Sequence, residues 1–363
     1  MKSGALYNSP FLRACRREKA DYTPIWLMRQ AGRYQREYRE IREKVSFLEL
    51  CKTPELAAQV TVMAVEQLNV DAAIIFADIL LIVEPMGVGL AFNKGEGPSI
   101  ARPVRSGADV DQLNEVDVNE SLSFVFEAVR ITRRELAPGV PLIGFCGAPF
   151  TVASYMIEGG AGREFAQTRS LMHDDPGAWN ALLERIARAS AGYVNGQIAA
   201  GAQAVQVFDS WVGCLDEQEY RRFVLPHTQS LIRSISPGTP VIHFAPQSPA
   251  KRGHSTFSEK VECPLFLRAV REAGGDVIGL DWRVNLAEAW ESIGYDVGVQ
   301  GNLDPNVLLT SADEIRRQAK IILNQAAGRP GHIFNLGHGV LPNTPVDNAR
   351  ALVDAVHEYT GSC

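Results

Sequence analysis

Short apolar runs alternate with longer amphipathic stretches along almost the whole chain. Compact runs rich in Val, Ile and Phe are typical of buried strands, and apolar residues repeated about every 3.6 positions indicate helices. Eight runs predict strands, at 25–28, 71–78, 141–146, 204–208, 241–244, 276–280, 297–300 and 332–336. Helical periodicity predicts helices at 39–50, from 54 onward, and at 120–136, 176–200, 262–273, 311–326 and 344–357. Thr53 and Pro54 mark one helix start, and Asn343 or Thr344 marks the last.

The alternation of strands and helices predicts an α/β fold with a parallel sheet. Eight such strands favour a closed (β/α)8 barrel, the TIM barrel, over an open doubly wound sheet. The composition does not shift along the 363 residues, and the sequence contains no internal repeat. We therefore predict a single (β/α)8 barrel domain over 1–363 with an N-terminal helical extension.

Polar residues directly follow several of the predicted strands. They include Arg29, Asp78, Ser210, Asp281 and His338. In a (β/α)8 barrel the carboxyl ends of the strands form the catalytic face, so we expect these side chains to meet there.

Two arginines stand at the exit of the first predicted strand. Arg29 and Arg33 flank Gly32, and each carries a planar, always charged guanidinium that pairs well with carboxylates. Such charges are costly beside a core strand unless an anion meets them. One interpretation is that they bind an anionic ligand. The alternative is local pairing with Glu37 or Glu40.

Composition narrows the functional class. Hydrophobic residues make up 46% of the chain and charged residues 21%, which is ordinary for a globular protein. The net charge is −6 and no long basic block occurs, so nucleic acid is not expected as a partner. No apolar run is long enough to span a membrane, and the N-terminal segment does not have the pattern of a signal peptide.

The cysteines and glycines exclude further classes of site. The six cysteines never form a CxxC pair, which argues against a zinc ribbon or disulfide scaffold and favours a reducing, cytoplasmic location. Four glycines between 87 and 98 predict a hairpin or loop. Neither GxGxxG nor GxxxxGK[ST] occurs there, so a nucleotide site is not indicated.

Several motifs resemble those of one enzyme family. Residues 24–33 (PIWLMRQAGR) and 144–159 (GFCGAPFTVASYMIEG) are similar to the two signatures of the uroporphyrinogen decarboxylases. Shorter matches to this family occur in the same order at 76–80 (FADIL), 279–282 (GLDW), 300–305 (QGNLDP) and 335–339 (NLGHG). The resemblance spans nearly the whole chain. One departure is 245–256, which is longer and more basic than the family's usual turn and leaves that rim of the site undefined.

The resemblance implies a fold, an activity and a set of site residues. It implies a homodimer of (β/α)8 barrels that needs no cofactor or metal and removes CO2 from the four acetate side chains of uroporphyrinogen III, giving coproporphyrinogen III. Asp78 would contact the pyrrole nitrogens at the centre of the macrocycle. By motif position, the substrate cleft would be lined by Arg29, Arg33, Asp78, Tyr155, Ser210 and His338.

The chemistry of such a reaction fits these residue types. Protonation of a pyrrole carbon creates a cationic ring that accepts the electron pair as CO2 leaves, so the substrate supplies its own electron sink. We expect the Asp78 carboxylate to offset this charge, although an Asp after a strand can also cap a helix. Arg29 would hold a carboxylate and organise a proton carrier, because its high pKa makes it a poor acid. Tyr155 and Ser210 would be secondary contacts to a carboxylate or to the ring, and His338, flanked by two glycines, would contact the substrate.

Two other classes of protein remain as alternatives. A zinc-dependent methyltransferase would need a His-x-Cys pair after a middle strand, but the corresponding residues are His243, Phe244 and Ala245, and the next cysteine is Cys263. A non-enzymatic tetrapyrrole or anion binder would need the two arginines but not Asp78.

Overall fold

A curled parallel sheet forms the centre of the protein. The computed structural model describes residues 4–93, 97–160, 165–246 and 264–361. Seven parallel strands follow one another in the order β1-β4-β5-β6-β7-β8-β9, and β2 and β3 pair separately as an antiparallel hairpin. The strands are β1 (Ala73–Ile74), β2 (Leu90–Asn93), β3 (Gly97–Ile100), β4 (Leu142–Gly147), β5 (Ala204–Phe208), β6 (Val241–Phe244), β7 (Val277–Gly279), β8 (Gly298–Gln300) and β9 (His332–Ile333).

Helices connect successive strands of the sheet and cover its outer face. Their apolar sides form one large core cluster with the strands. The helices are α1 (Gly4–Tyr7), α2 (Pro10–Cys15), α3 (Arg36–Lys44), α4 (Phe47–Lys52), α5 (Pro54–Leu68), α6 (Gly107–Asp111), α7 (Val118–Ser121), α8 (Ser123–Glu135), α9 (Pro149–Glu158), α10 (Ala166–Asp174), α11 (Pro176–Ala200), α12 (Glu217–Phe223), α13 (Leu225–Arg233), α14 (Pro264–Ala273), α15 (Leu286–Ile293), α16 (Ala312–Ala326) and α17 (Val346–Thr360).

The first predicted strand is wrong as a strand, although its backbone does bond to the sheet. Ile25 makes a single parallel bridge to Phe334, whose N–H donates to the Pro24 carbonyl at 2.8 Å. On the other side, the Asp71 N–H donates to the Ile25 carbonyl at 2.8 Å. The segment therefore contacts both edges of the seven-stranded sheet.

Side chains intercept the backbone donors that would have extended this pairing. The N–H groups of Leu27 and Met28 donate to the side-chain oxygens of Gln30 (3.2 Å) and Asn335 (3.0 Å). The predicted strand 71–78 is likewise reduced to β1, because the Phe76 N–H donates to a threonine hydroxyl at 2.9 Å instead of to a neighbouring strand.

A chain of polar side chains crosses the space enclosed by the sheet. Trp26 Nε1 donates to Gln300 Oε1 at 2.9 Å, and Gln300 Nε2 donates to Gln206 Oε1 at 3.1 Å. All three side chains are buried, and mutual pairing satisfies groups that water cannot reach. This network joins the 24–28 segment to β5 and β8 beneath the carboxyl ends of the strands.

Several local expectations are settled by these elements. The predicted hairpin is confirmed by the pairing of β2 with β3, and Thr53 does precede α5, which begins at Pro54. The single helix predicted at 39–50 is wrong, because the capping box of Ser46 and Glu49 starts a second helix. The last helix begins at Val346 with Pro345 as its N-cap, not Asn343 or Thr344.

In the described ranges, no helix is long and apolar enough to cross a membrane. The basic loop at 245–256 lies outside the described residues except for its first two positions.

Candidate active site

Asp78 lies in the loop after β1 at the carboxyl end of the sheet. Its Oδ1 accepts a hydrogen bond of 2.9 Å from the N–H of Leu80, just before a short 3-10 helix at Leu81–Val83. The helix-cap alternative is thus partly realised, since one carboxylate oxygen holds this turn. The side chain is partly buried. Burial raises the pKa of Asp78 to about 6, against the opposing effects of the Leu80 N–H and the Arg29 charge.

Arg29 and Arg33 are both exposed, not buried in the core. Neither forms a salt bridge with a carboxylate of the described residues. Of the two glutamates considered as local partners, Glu40 pairs with Arg36 at 2.8 Å instead, and Glu37 makes no salt bridge within the part of the chain that is described. The local-pairing alternative is therefore not supported, and both guanidiniums are open to an anion.

A set of side-chain hydrogen bonds fixes the loop that carries the arginines. The Tyr34 hydroxyl donates to the Gln30 carbonyl at 2.6 Å, and the Gly32 N–H donates to Gln35 Oε1 at 3.0 Å. Arg39 donates to the carbonyl of Arg33 at 2.8 Å. The charged groups therefore project from a backbone whose polar atoms are already paired, which favours a preorganised site.

The Arg29 backbone takes up a strained conformation. Its φ is 62°, in the left-handed region that costs a non-glycine residue about 1–3 kcal/mol. The conformation is held on one side by Met28, whose N–H donates to Asn335 and whose carbonyl accepts from the Val340 N–H at 2.8 Å. Strain of this kind often marks a functional site.

The two glycines beside His338 are explained by close approaches. A side chain at Gly339 would place its Cβ 2.5 Å from Arg29 Cδ, and one at Gly337 would collide with the backbone of Trp282. His338 itself is exposed between them. Partial desolvation and the Arg29 charge lower the pKa of His338, while Asp281 acts in the opposite direction.

Tyr155 reaches the same cleft from α9. Its ring packs edge to face on Trp211, with centroids 5.5 Å apart. Burial raises the pKa of Tyr155; a hydrogen bond with Trp211 opposes this effect, and the Asp78 carboxylate adds to it. Ser210 is exposed directly before Trp211.

The electrostatic contacts show which predicted residues lie together. The Arg29 charge affects the pKa of Asp78, Tyr155 and His338, so these four side chains lie near one another. Arg33 instead interacts with Tyr38, and nothing in the described ranges joins it to Asp78. Its role as a substrate contact stays a prediction.

Three aromatic rings on neighbouring strands pack against one another. Phe145, Phe208 and Phe244 stand on the neighbouring strands β4, β5 and β6, with centroid distances of 5.6 Å and 6.2 Å between successive rings. The sequence pattern indicated strand positions for the phenylalanines, but not their mutual contact.

Two aspartates of this region were not among the predicted cleft residues, although Asp281 was expected on the catalytic face. Asp281 is buried and accepts from Arg283 Nε at 2.6 Å, and Asp209 is fully buried beside Ser210. Both aspartates follow predicted strands directly, and that position was the signal available in the sequence.

The residues with described positions contain no group of three or more His, Cys, Asp and Glu side chains able to hold a metal ion. His243, considered as a zinc ligand above, is fully buried in β6, and Cys263 lies outside the described residues.

Comparison with known proteins identifies the family. The family model described as "Uroporphyrinogen decarboxylase (URO-D)" matches residues 6–359. The chain belongs to the uroporphyrinogen decarboxylase family. The resemblance noted from the motifs is thereby confirmed.

Curated uroporphyrinogen decarboxylases match over nearly their full length. The protein of that name from Carboxydothermus hydrogenoformans is 54% identical over 354 residues, which cover 97% of each chain. The one from Sorangium cellulosum is 51% identical over 96% of this chain and 95% of its own.

Solved structures with the same fold are more distant in sequence. A methyltransferase from Methanosarcina mazei superposes with a TM-score of 0.77 at 21% identity, covering 96% of this chain and 98% of its own. A putative vitamin-B12-independent methionine synthase from Listeria monocytogenes gives 0.56 at 13% identity, covering 95% and 98%. At these identities the likeness concerns the fold alone.

Proposed function

We propose that this chain decarboxylates the four acetate side chains of uroporphyrinogen III to give coproporphyrinogen III, a step of tetrapyrrole (heme) biosynthesis. Family membership and the identity of 54% to a curated uroporphyrinogen decarboxylase support a carboxy-lyase of this kind. The observation that carries the proposal at the site is the exposed Arg29, which has no salt bridge to any described carboxylate, near the partly buried Asp78.

The substrate's own pyrrole ring supplies the electron sink. A proton adds to the ring carbon beside the acetate-bearing carbon, and the ring becomes cationic. The bond to the carboxylate then breaks, its electron pair moves into the ring, and CO2 leaves. A second proton completes the methyl group, and loss of the added ring proton restores the pyrrole. An external electron sink is therefore not needed for this chemistry.

Asp78 stabilises the charge that develops on the ring. Its carboxylate accepts the pyrrole N–H groups and faces the cationic intermediate in a partly desolvated cleft, where a fixed charge acts more strongly than in water. Among the described residues only Leu80 bonds to this carboxylate, through one oxygen, so the other oxygen is offered to the substrate.

Arginine side chains anchor the carboxylates of the macrocycle. Arg29 holds the acetate at the reacting ring and orders a proton carrier, either a water molecule or a substrate carboxyl, and Arg33 binds a more distant carboxylate. Two-bond pairing with a planar guanidinium fixes the orientation of a carboxylate as well as its position. Tyr155, Ser210 and His338 complete the cleft as neutral hydrogen-bonding groups.

The assembly around this site is also part of the proposal. We infer that the 24–28 segment closes the curled sheet into an eight-stranded barrel, because it hydrogen-bonds to both edges. On the family resemblance and the composition we also propose a single domain, a homodimer without cofactor and a cytoplasmic location. Light scattering tests the dimer, and cell fractionation tests the location.

Anaerobic incubation with reduced uroporphyrinogen III tests the function directly. The products are oxidised and separated by the number of remaining carboxyl groups. We expect conversion from eight carboxyls to four, since four acetates are lost and four propionates stay. Binding without loss of CO2 would favour the non-enzymatic binder instead.

A further inference from the structure

A buried carboxylate lies directly behind the turn that carries Ser210. Asp209 follows β5 and is fully buried, whereas Ser210 is exposed. Asp209 Oδ1 accepts a hydrogen bond of 2.8 Å from the hydroxyl of Thr151, which is also fully buried. An ionisable group is expensive to bury, so a carboxylate at this position is expected to perform a task.

The Thr151 hydroxyl connects this carboxylate to the neighbouring turn. It accepts a hydrogen bond of 3.2 Å from the N–H of Trp211. A hydroxyl has one proton to donate and two lone pairs to accept with. Because Asp209 takes the proton, a lone pair is free for Trp211, and the carboxylate thus fixes the direction of the second bond.

The connection continues from Trp211 to the cleft. Its ring packs on Tyr155 at 5.5 Å and on Phe165 at 5.2 Å. Tyr155 stands one helical turn after Thr151 on α9, so both side chains lie on the same face of that helix. A displacement of the turn would therefore move the Tyr155 phenol, which interacts with Asp78 and Arg29.

We propose that Asp209 is a positioning residue for the decarboxylation: through the Thr151 hydroxyl it fixes the Ser210–Trp211 turn and thereby the Tyr155 phenol. Asp209 is too deeply buried to touch the substrate itself. This inference rests on the proposed function and deepens it.

The state of the carboxylate predicts how variants will behave. Burial raises the pKa of Asp209 to about 7, against the opposing effect of Thr151, and Oδ2 has no hydrogen-bond partner in the described part of the chain. An asparagine resembles the protonated form and keeps an acceptor for Thr151. We therefore expect Asp209→Asn to retain most of the positioning and Asp209→Ala to lose it.

The sharper test changes Thr151, because the hydroxyl can be removed or kept with little change in volume. Thr151→Val should lower kcat about 10- to 100-fold with less than about a threefold change in KM, the scale expected when reacting groups are misplaced. Thr151→Ser keeps the hydroxyl and should restore kcat to within about threefold. The matched control is Thr132→Val. Thr132 is a buried threonine of α8 whose hydroxyl has no partner among the described residues, so this variant should leave kcat unchanged.

Near-UV circular dichroism provides a readout that does not depend on turnover. The band assigned to Trp211 by a Trp211→Phe variant should change in Thr151→Val and persist in Thr151→Ser. Wild-type activity of Thr151→Val, or an equal loss in Thr151→Ser, would overturn the proposal. If the wild-type protein fails to turn over uroporphyrinogen, the proposed function fails, whereas the dichroism comparison still decides whether Thr151 holds the turn.

Discussion

Replacing Asp78 with asparagine separates the charge of this side chain from its shape. The amide can still accept the N–H of Leu80, which is 2.9 Å from Oδ1 in the native protein, so the turn should survive. The variant loses the negative charge that faces the cationic ring. Removal of one preorganised electrostatic contact typically lowers the rate by about 10²- to 10³-fold, or about 3–4 kcal/mol. We expect kcat for Asp78→Asn to fall by at least about 100-fold.

The pH dependence gives an independent signature of the same charge. The free enzyme needs Asp78 ionised, and its pKa lies at about 6. Wild-type kcat/KM should therefore rise about tenfold per pH unit below 6 and level off above it, since this ratio reports the free enzyme. The asparagine variant should lack this inflection.

Stability should change in the opposite direction from activity. The pKa of Asp78 is raised from 3.8 to about 6 on folding, so the native state binds more protons between these values and loses stability as pH rises through them. The full pKa difference corresponds to at most about 3 kcal/mol of unfolding free energy, and partial exposure of the carboxylate reduces this contribution to about 1–2 kcal/mol. Asp78→Asn should accordingly be more stable than the wild type above pH 6.

The assay is anaerobic turnover of uroporphyrinogen from pH 5 to 8, with urea unfolding measured on the same samples. Asp111→Asn serves as the control because Asp111 is an exposed carboxylate at the end of α6. Near-normal turnover by Asp78→Asn would refute the central role of the charge. Loss of activity together with loss of stability would assign Asp78 to the fold rather than to the chemistry.

Three further predictions concern the surroundings of the site. Arg33→Ala should raise KM about tenfold and make KM more sensitive to salt. The Tm should not change, because no described salt bridge is lost. An unaltered KM would contradict a binding role. Gly339→Ala should raise KM at constant Tm, because its Cβ would displace the Arg29 side chain, and a normal KM would show that this packing is irrelevant. Burial lowers the pKa of His357, but its 2.8 Å hydrogen bond to Asp71 outweighs this effect and raises the pKa above the usual value. His357→Gln should therefore cost about 1 kcal/mol of unfolding free energy near pH 6 and less at pH 9. A cost that does not change with pH would disprove this linkage.

Regular elements with strong local signals were predictable from the sequence. The helix at 176–200 and the strands at 204–208 and 241–244 were predicted with the bounds that the structure has. The spacing of apolar residues in these elements depends on which of their faces are buried, and it can be recognised within the segment itself. The strands at 25–28 and 71–78 failed because distant side chains, such as Asn335, capture their backbone donors. No pattern within either segment could reveal such a capture.

The site was predictable in its positions but not in its contacts. The rule that polar residues follow parallel strands located Asp78 and His338, whose shared neighbour is Arg29. The rule gave no distances. The family resemblance placed Arg33 in the cleft with Asp78, and no described contact supports that placement. The burial of Asp209 and its bond to Thr151 depend on the packing of β5 against α9, which residue order alone does not encode.

The separation of Arg29 from Asp78 is itself an argument about function. A direct salt bridge would commit each of these charges to the other and leave neither free for a ligand. Here the two interact, but form no salt bridge. The Arg29 side chain lies against Gly339, where a Cβ would come within 2.5 Å of Arg29 Cδ. Both charges thus stay available at once, the carboxylate for pyrrole N–H groups and the guanidinium for a carboxylate of the same molecule. A ligand with a cationic centre and an anionic rim fits such a pair, whereas a simple anion would use only one member of it.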